Sequence, residues 1–318
     1  MYLGIDLGGT AIKLGLFDQE LVCIDKQTAA TNSLAGAAIV LKNLVTAIKK
    51  ILQDNQLTTN QVKRIGLGVP GLLDLQNGIS LFSPNFTDWE NIPIIAILEK
   101  EFAIPTVIDN DVRMNLFGEW TLGAAQELSD FVFITLGTGL GAGVVINHQL
   151  LYGATNSFGE IGHLNMYREG RPCACGSSGC LGRYVSARGM VKTAADYLAE
   201  GQPSILRDWL GEDWQQLTAK MISKGFDQED ALCQKVLQET GEIFGFGLVN
   251  VINLYNPKKI LIGGGMAKAG ERLLAPARRV IQQHALKISA AACQLELAVL
   301  GSAAGMIGAA SVAAKKFA

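Results

Sequence analysis

The densest chemistry in the chain lies in Gly159-Glu160-Ile161-Gly162-His163, followed by Cys173, Cys175 and Cys180. One imidazole and three thiols within so short a stretch, with Gly176 and Gly179 to turn the backbone, supply the nitrogen and sulfur donors of a closed tetrahedral zinc site. A disulfide beside one buried thiol is the competing reading, but it suits an oxidising compartment and the sequence shows no secretory segment. An imidazole has two nitrogens, so His163 can bind metal through one and face a ligand hydroxyl with the other, the zinc fixing the ring. A purely structural ligand is the alternative for His163. Glu160 lies close enough in sequence to share in binding that ligand.

A second set of reactive types is Asp109-Asn110-Asp111, which closes the apolar run Thr106 to Asp109 and precedes a helical pattern from Val112. Open α/β sheets gather ligands at the carboxyl ends of their strands. Asp111 is therefore placed to deprotonate an attacking hydroxyl, and Asn110 to exchange hydrogen bonds with neighbouring hydroxyls. Asn and Asp also cap helices, which is the competing reading of this tripeptide.

Two glycine turns, Gly8-Gly9-Thr10 and Gly137-Thr138-Gly139, each follow a predicted strand and can offer backbone N–H groups to a phosphate. The alternation of Gly137, Gly139, Gly141 and Gly143 is not a dinucleotide fingerprint, because β-branched Val144-Val145-Ile146 continues as strand rather than helix. No P-loop pattern occurs either. A pair of hairpin phosphate clamps remains, against the simpler reading of two turns. Asp6 is suited to hold magnesium through water, and Lys13 to reach a phosphate oxygen unless it is a solvated strand residue. Gly263-Gly264-Gly265, after the strand Lys259 to Ile262, lets an adenosine ring or ribose approach the backbone; a tight strand-to-helix turn is the alternative.

Positioning these groups calls for a duplicated α/β scaffold. In the first half, Tyr2 to Asp6, Ala11 to Phe17 and Val22 to Gln27 read as strands. A helix from near Leu34 to Leu52 follows, with Ile39, Leu44, Val45, Ile48 and Leu52 near helical spacing. Then come strand Arg64 to Val69, helix Ile94 to Phe102, strand Thr106 to Asp109 and a helix. The second half restarts with strands Asp130 to Leu136, Gly141 to Ile146 and Leu150 to Tyr152. Beyond the zinc stretch the pattern predicts helices near Met190 to Ala199, Gln215 to Lys224 and Asp230 to Leu254. Strand Lys259 to Ile262, helix Glu271 to His284, strand Gln294 to Ala298 and helix Ala303 to Lys316 complete it. Each half thus reads βββαβαβα, which gives two mixed sheets flanked by helices. The expected division is a small lobe over 1–112, completed by 301–318, and a large lobe over 113–300 with the zinc loop, the two enclosing a cleft.

A chain of 318 residues with 49% hydrophobic content can bury more than one core. Its formal net charge of -2, without any block of Lys or Arg, provides no field for nucleic acid or an acidic membrane surface, so small molecules are the expected partners. No apolar run reaches the roughly 20 residues that span a bilayer. A strand beginning at Tyr2 leaves the expectation of no targeting segment, no preceding DNA-binding module and a cytoplasmic location. Cys23, Cys233 and Cys293 read as reduced core residues.

Taken together, the motifs resemble those of the ROK (repressor, open reading frame, kinase) sugar kinases, within the actin-like ATPase superfamily of ribonuclease H-like folds. Asp6-Leu7-Gly8-Gly9-Thr10 resembles the family's first phosphate motif, Leu136-Gly137-Thr138-Gly139 its second, and Asp109-Asn110-Asp111 its catalytic motif. Gly159-Glu160-Ile161-Gly162-His163 with the three cysteines resembles its zinc signature, which is close to diagnostic; the resemblance runs along the whole chain. It implies that Asp111 is the general base, that Asn110, Glu160 and His163 bind sugar hydroxyls, and that His163, Cys173, Cys175 and Cys180 hold zinc. Asn85, in Ser83-Pro84-Asn85-Phe86, resembles a further sugar contact, although a loop Asn is also a turn former. ATP, magnesium and a homodimer are implied likewise.

One departure stands out. Family members acting on glucose or N-acetylmannosamine usually carry a sugar-binding Glu after the Cys-Leu of the zinc loop, whereas Cys180-Leu181 is followed here by Gly182. Losing such a partner costs about 1 to 3 kcal/mol, enough to change sugar preference without removing the chemistry. The implied activity is ATP-dependent phosphorylation of the C6 hydroxyl of glucose or a related hexose. The alternatives are a kinase of mannose, N-acetylmannosamine, N-acetylglucosamine or fructose, a donor such as polyphosphate, or a non-enzymatic sugar-responsive regulator. Cys173-Ala174-Cys175-Gly176 follows the gluco-type form of the zinc loop rather than the fructokinase form.

Overall fold

The computed structural model describes residues 1–211 and 213–314. These form two compact units, one of residues 1–128, 152–158 and 298–314, the other of residues 129–151 and 159–297. The first contains β1 (Tyr2–Leu7), β2 (Ala11–Phe17), β3 (Cys23–Ala30), α1 (Ala37–Asp54), β4 (Arg64–Val69), β5 (Leu72–Asp74), β6 (Ile79–Phe82), β7 (Glu90–Ile92), α2 (Ile94–Phe102), β8 (Thr106–Asn110) and α3 (Asp111–Leu122). The second contains β9 (Phe131–Leu136), β10 (Leu140–Ile146), β11 (Gln149–Leu150), α4 (Gly182–Val185), α5 (Ala187–Ala199), α6 (Ile205–Leu210), α7 (Ala219–Asp227), α8 (Ala231–Tyr255), β12 (Lys259–Gly263), α9 (Glu271–His284), α10 (Lys287–Ala292) and β13 (Gln294–Leu297). α11 (Ala304–Ala313) returns to the first unit.

The main sheets run β3-β2-β1-β4-β8 and β11-β10-β9-β12-β13, the same order twice. β1 pairs antiparallel with β2 and parallel with β4, and β9 pairs in the same way with β10 and β12. The duplication read from the sequence is therefore present in the topology. Central β1 and β9 are apolar runs buried along nearly their whole length, as strands covered on both faces should be, whereas edge strand β3 (Cys-Ile-Asp-Lys-Gln-Thr-Ala-Ala) is largely exposed. A small sheet, β5-β6-β7, adds to the first unit beyond the expected pattern.

Backbone contact between α11 and its neighbours sets the geometry of the first unit. A Cβ on Gly66 of β4 would lie 1.9 Å from Ala309 O, one on Gly118 of α3 would lie 2.2 Å from Ala304 O, and one on Gly308 would lie 1.7 Å from Met114 O. Only hydrogen fits at these positions, so α11 seats directly on the sheet and on α3. The fully buried Glu119 of α3 secures the returning chain, accepting from Ala124 N at 2.9 Å and Leu300 N at 2.8 Å.

Several boundaries differ from expectation. The first unit continues to Leu128 rather than 112, because α3 spans that position and packs on α11. α1 begins at Ala37, since Gly36 breaks the preceding turn with φ 93°. The third strand of the second unit stops at Leu150, and Tyr152 belongs to the first unit instead. The helix expected from Gln215 starts at Ala219, behind a Thr218 cap whose hydroxyl accepts from Met221 N. Cys23 is exposed on edge strand β3 and Cys293 is only partly covered, so of the three scattered cysteines Cys233 alone is a core residue. Lys315 and Lys316, expected at the end of the last helix, lie outside the described residues.

The α3–α11 contact makes a direct prediction. Gly308→Ala should destabilise the protein by about 2 kcal/mol or more, because backbone atoms rather than flexible side chains must yield. Denaturant unfolding of the two proteins measures the difference.

Candidate active site

Asp111 occupies the first position of α3, directly after β8. The residues around it spend their side chains on the strand-to-helix junction. Asn110 is the N-cap: its Oδ1 accepts from Val112 N at 2.9 Å and its Nδ2 donates to Gly71 O at 3.2 Å. Asp109 Oδ1 accepts from Asn110 N at 2.6 Å and from Arg113 Nε at 2.5 Å. The Asp111 carboxylate, by contrast, has backbone N–H groups of the helix start as its hydrogen-bond donors. Burial, then the nearby Asp6 carboxylate, raises its pKa to about 6, with Arg113 and those N–H groups pulling the other way. A partly ionised carboxylate at a strand's carboxyl end, held near neutrality, is a competent proton acceptor.

Asp6 lies within the buried run of β1 and faces Lys13 across the β1–β2 register, with Lys13 Nζ 3.2 Å from Asp6 Oδ2. Burial pushes the Asp6 carboxyl up and Lys13 draws it back. Lys13, expected to reach a phosphate, is thus engaged with Asp6. The adjoining turn closes through Gly8, whose N–H donates to Ala11 O at 3.0 Å and whose carbonyl accepts from Thr31 Oγ1 at 2.6 Å. A Cβ on Gly9 would stand 3.5 Å from Asn85 Cβ, which brings the exposed Asn85 beside Gly9 and Thr10.

In the second unit, two close approaches seat the Gly159–His163 loop on β10. A Cβ on Gly159, at φ +91°, would lie 2.7 Å from Ala142 O, and one on Gly162 would lie 2.5 Å from Leu140 O. With the glycines packed inward, Glu160 and His163 are left exposed, His163 Nε2 lying 4.0 Å from Glu160 Oε2. The other ring nitrogen, Nδ1, lies 3.7 Å from Cys173 Sγ, and Cys175 Sγ lies 3.7 Å from Cys180 Sγ. All four donor atoms fall within 4.8 Å of one another. Sulfurs about 2.3 Å from a tetrahedral zinc stand about 3.8 Å apart, so the cluster fits that ion closely. The Ser177 N–H and then Cys173 hold the Cys175 thiol down to about 7, whereas burial pushes Cys180 up to about 12.

The second glycine turn is closed by Gly137 N–H donating to Gly139 O at 2.9 Å. A Cβ on Gly137 would lie 3.8 Å from Gly265 N, which brings that turn and the Gly263–Gly265 segment together. The three glycines of that segment have different reasons. Gly263 ends β12, and Gly264 has φ +87° with its Cβ site 2.5 Å from Leu136 O, but Gly265 has open space at that site. Gly139 has the same open space, and neither residue adopts a left-handed φ. Packing thus explains Gly264, whereas the Cβ sites of Gly139 and Gly265 meet no protein atom.

The model of the ROK family matches residues 2–316. The chain belongs to the ROK family. It is 35% identical over 311 residues to a glucokinase of Halalkalibacterium halodurans, a match covering 96% of this chain and 93% of the relative. A ROK family glucokinase from Streptomyces griseus, solved in complex with glucose and AMPPNP, aligns with a TM-score of 0.81 at 30% identity over 99% of each chain. A ROK family transcriptional regulator, a homolog of the E. coli MLC protein, aligns with a TM-score of 0.87 at 26% identity, over 99% of this chain and 78% of that one. The fold is accordingly the two-lobed α/β fold of the actin-like ATPases, as expected.

Two features of this ROK chain bear on the sequence reading. A Cβ on Gly182 would lie 3.3 Å from Gly162 O, so the departure from the family pattern sits against the Glu160–His163 loop. The sequence reading also missed Arg113 and Tyr152, which bond to Asp109: Arg113 and Asp109 are buried and Tyr152 is half-buried. An Asp and an Arg four apart across a strand–helix junction were the available signal for Arg113, but nothing local marks Tyr152.

If the His–Cys cluster holds zinc, purified reduced protein should carry about one zinc per chain, and Cys175→Ser should lose most of it. Elemental analysis by mass spectrometry decides the matter.

Proposed function

We propose that this ROK protein is an ATP-dependent kinase that phosphorylates the C6 hydroxyl of glucose or a closely related hexose. The observation that carries the reading is the Asp111 carboxylate, left over from a junction whose other side chains are engaged and raised to a pKa of about 6. Asp111 accepts the proton of the sugar hydroxyl as its oxygen attacks the γ-phosphorus; the bond from that phosphorus to the β–γ bridging oxygen breaks, and ADP departs. Backbone N–H groups of the Gly8–Thr10 and Gly137–Gly139 turns stabilise phosphate charge, and Gly265 admits the nucleoside. Glu160, His163, Asn85 and the free capacity of Asn110 bind sugar hydroxyls.

Asp6, whose carboxylate is near enough to Asp111 to raise its pKa, would hold a magnesium ion. Such an ion supplies neutralisation of the transferred charge when bound. Zinc in the His163–Cys180 cluster would be structural, fixing the ring whose Nε2 faces Glu160. The proposal includes a cytoplasmic homodimer acting on small molecules rather than nucleic acid.

The glucokinase relatives support glucose as acceptor and AMPPNP in the Streptomyces griseus structure supports ATP as donor. Gly182 favours testing mannose, N-acetylmannosamine, N-acetylglucosamine and fructose beside glucose, since a contact near Gly162 is missing. Likeness to a transcriptional regulator favours one rival, a sugar-responsive regulator without catalysis. ADP release across the sugar panel separates the two readings: turnover with a hexose supports the kinase, and none with any sugar removes it.

Two outcomes are expected of the enzyme. Asp111→Asn should lower kcat by about 10²- to 10⁴-fold. In the wild type, the protonated acid cannot accept a proton, so kcat/KM should fall about tenfold per pH unit below about 6, as Asp111 titrates. Gly265→Ala should raise the KM for ATP while leaving thermal stability unchanged, because the added methyl meets ligand rather than protein.

A further inference from the structure

We propose that Arg113, Asp109 and Tyr152 form a positioning clamp that orients Asp111 at the start of α3. The proposal rests on the reading of Asp111 as the base and goes beyond it by assigning residues that touch no substrate.

Two members of the clamp are buried and the third, Tyr152, is half-buried. Arg113 is 5% exposed and Asp109 2%. Arg113 reaches back over the first turn of its own helix to Asp109 Oδ1, while Asp109 Oδ2 accepts from the Tyr152 hydroxyl at 2.8 Å. Arg113 Nη1 donates to Asn156 O at 2.8 Å, and its guanidinium lies 5.0 Å from the centre of the Tyr152 ring. Tyr152 and Asn156 belong to Tyr152–Phe158, the short segment that joins the first unit after the chain has built β9 to β11. That segment closes on itself, Phe158 N–H donating to Tyr152 O at 3.0 Å, with Asn156 left-handed at φ 58°. Gly159 and Glu160 follow at once.

Burying an ion pair is a poor way to gain stability, since a well-packed apolar set of equal volume usually does as well. What this one supplies is direction. The Asp109–Arg113 pair and the Asn110 cap bracket Asp111 on both sides, leaving the junction few ways to turn that side chain.

The charges acting on Asp111 are Asp6 of β1 and Arg113 of α3, of which Asp6 is paired with Lys13 of β2 and Arg113 with Asp109 of β8. α11 contributes none among its described residues. Arg113 therefore supplies the cation of that set that is closest along the chain, and it favours the ionised base.

Steady-state kinetics with ATP, magnesium and the best sugar of the panel, followed across pH, test the clamp on the full chain. Tyr152→Phe removes one hydroxyl, and should lower kcat/KM for sugar about tenfold while leaving the KM for ATP unchanged. Arg113→Met should move the acid limb of the profile above its wild-type position near pH 6, because Asp111 loses its cation, and Arg113→Lys should move it back. Since Arg113→Met strands a buried carboxylate and can unfold the chain, Tyr152→Phe stands as the independent arm. Wild-type kinetic constants in Tyr152→Phe, even with lowered stability, overturn the clamp while leaving the base intact. An active Asp111→Asn, or a wild type that turns over no sugar, removes the base reading and the clamp with it.

Discussion

Direct backbone contact between α11 and the elements beneath it is the constraint on which the first unit depends. Where a side chain would ordinarily separate helix from sheet, Gly4, Gly66, Gly118 and Gly308 bring carbonyl groups of one element against the Cα of another. Such contacts have little slack, because no rotamer can absorb a misfit. They fix the height of β1, hence of Asp6, whose Cγ would lie 2.8 Å from a Cβ on Gly305. They also fix the axis of α3, hence the origin of Asp111. The two carboxylates repel through a distance that packing, not their own bonding, sets.

Both units treat reactive side chains in the same way. Around Asp111 the neighbouring polar groups satisfy one another, and its carboxylate is what remains. Around Glu160 the inward glycines and the His163–cysteine cluster take up the local geometry and leave one carboxylate and one ring nitrogen outward. Surrounding groups carry the structural duty in each case, so the remaining side chain is free for a ligand at little entropic cost.

Much of this is legible from the sequence, for definable reasons. β1, β4, β9 and β12 are central strands covered on both faces, so they read as mainly apolar runs, with Asp6 the one acidic residue among them. His163, Cys173, Cys175 and Cys180 fall within a stretch shorter than a small helix pair, so their spacing is informative without any fold. The strands β5 to β7 are not legible, being three or four residues long with Leu72, Leu81 and Phe82 exposed. Tyr152 is not either: its partner lies 43 positions away, and a tyrosine after an edge strand looks like its continuation. The glycines divide only once packing is known. Gly308 is required by a neighbouring carbonyl and Gly265 by no protein atom, yet the two are identical letters.

The chain contributes to the first unit three times, and its last contribution, α11, comes only after the whole second unit. During synthesis, β1 and β4 must therefore wait with their glycine-lined face uncovered while the ribosome makes everything from Ser129 to Leu297. β9 likewise waits for β12, but its wait ends within the second unit, whereas the first unit is completed only after the second. Vectorial folding gives way here to a final docking step, one that completes the sheet bearing Asp6 and the helix bearing Asp111 together.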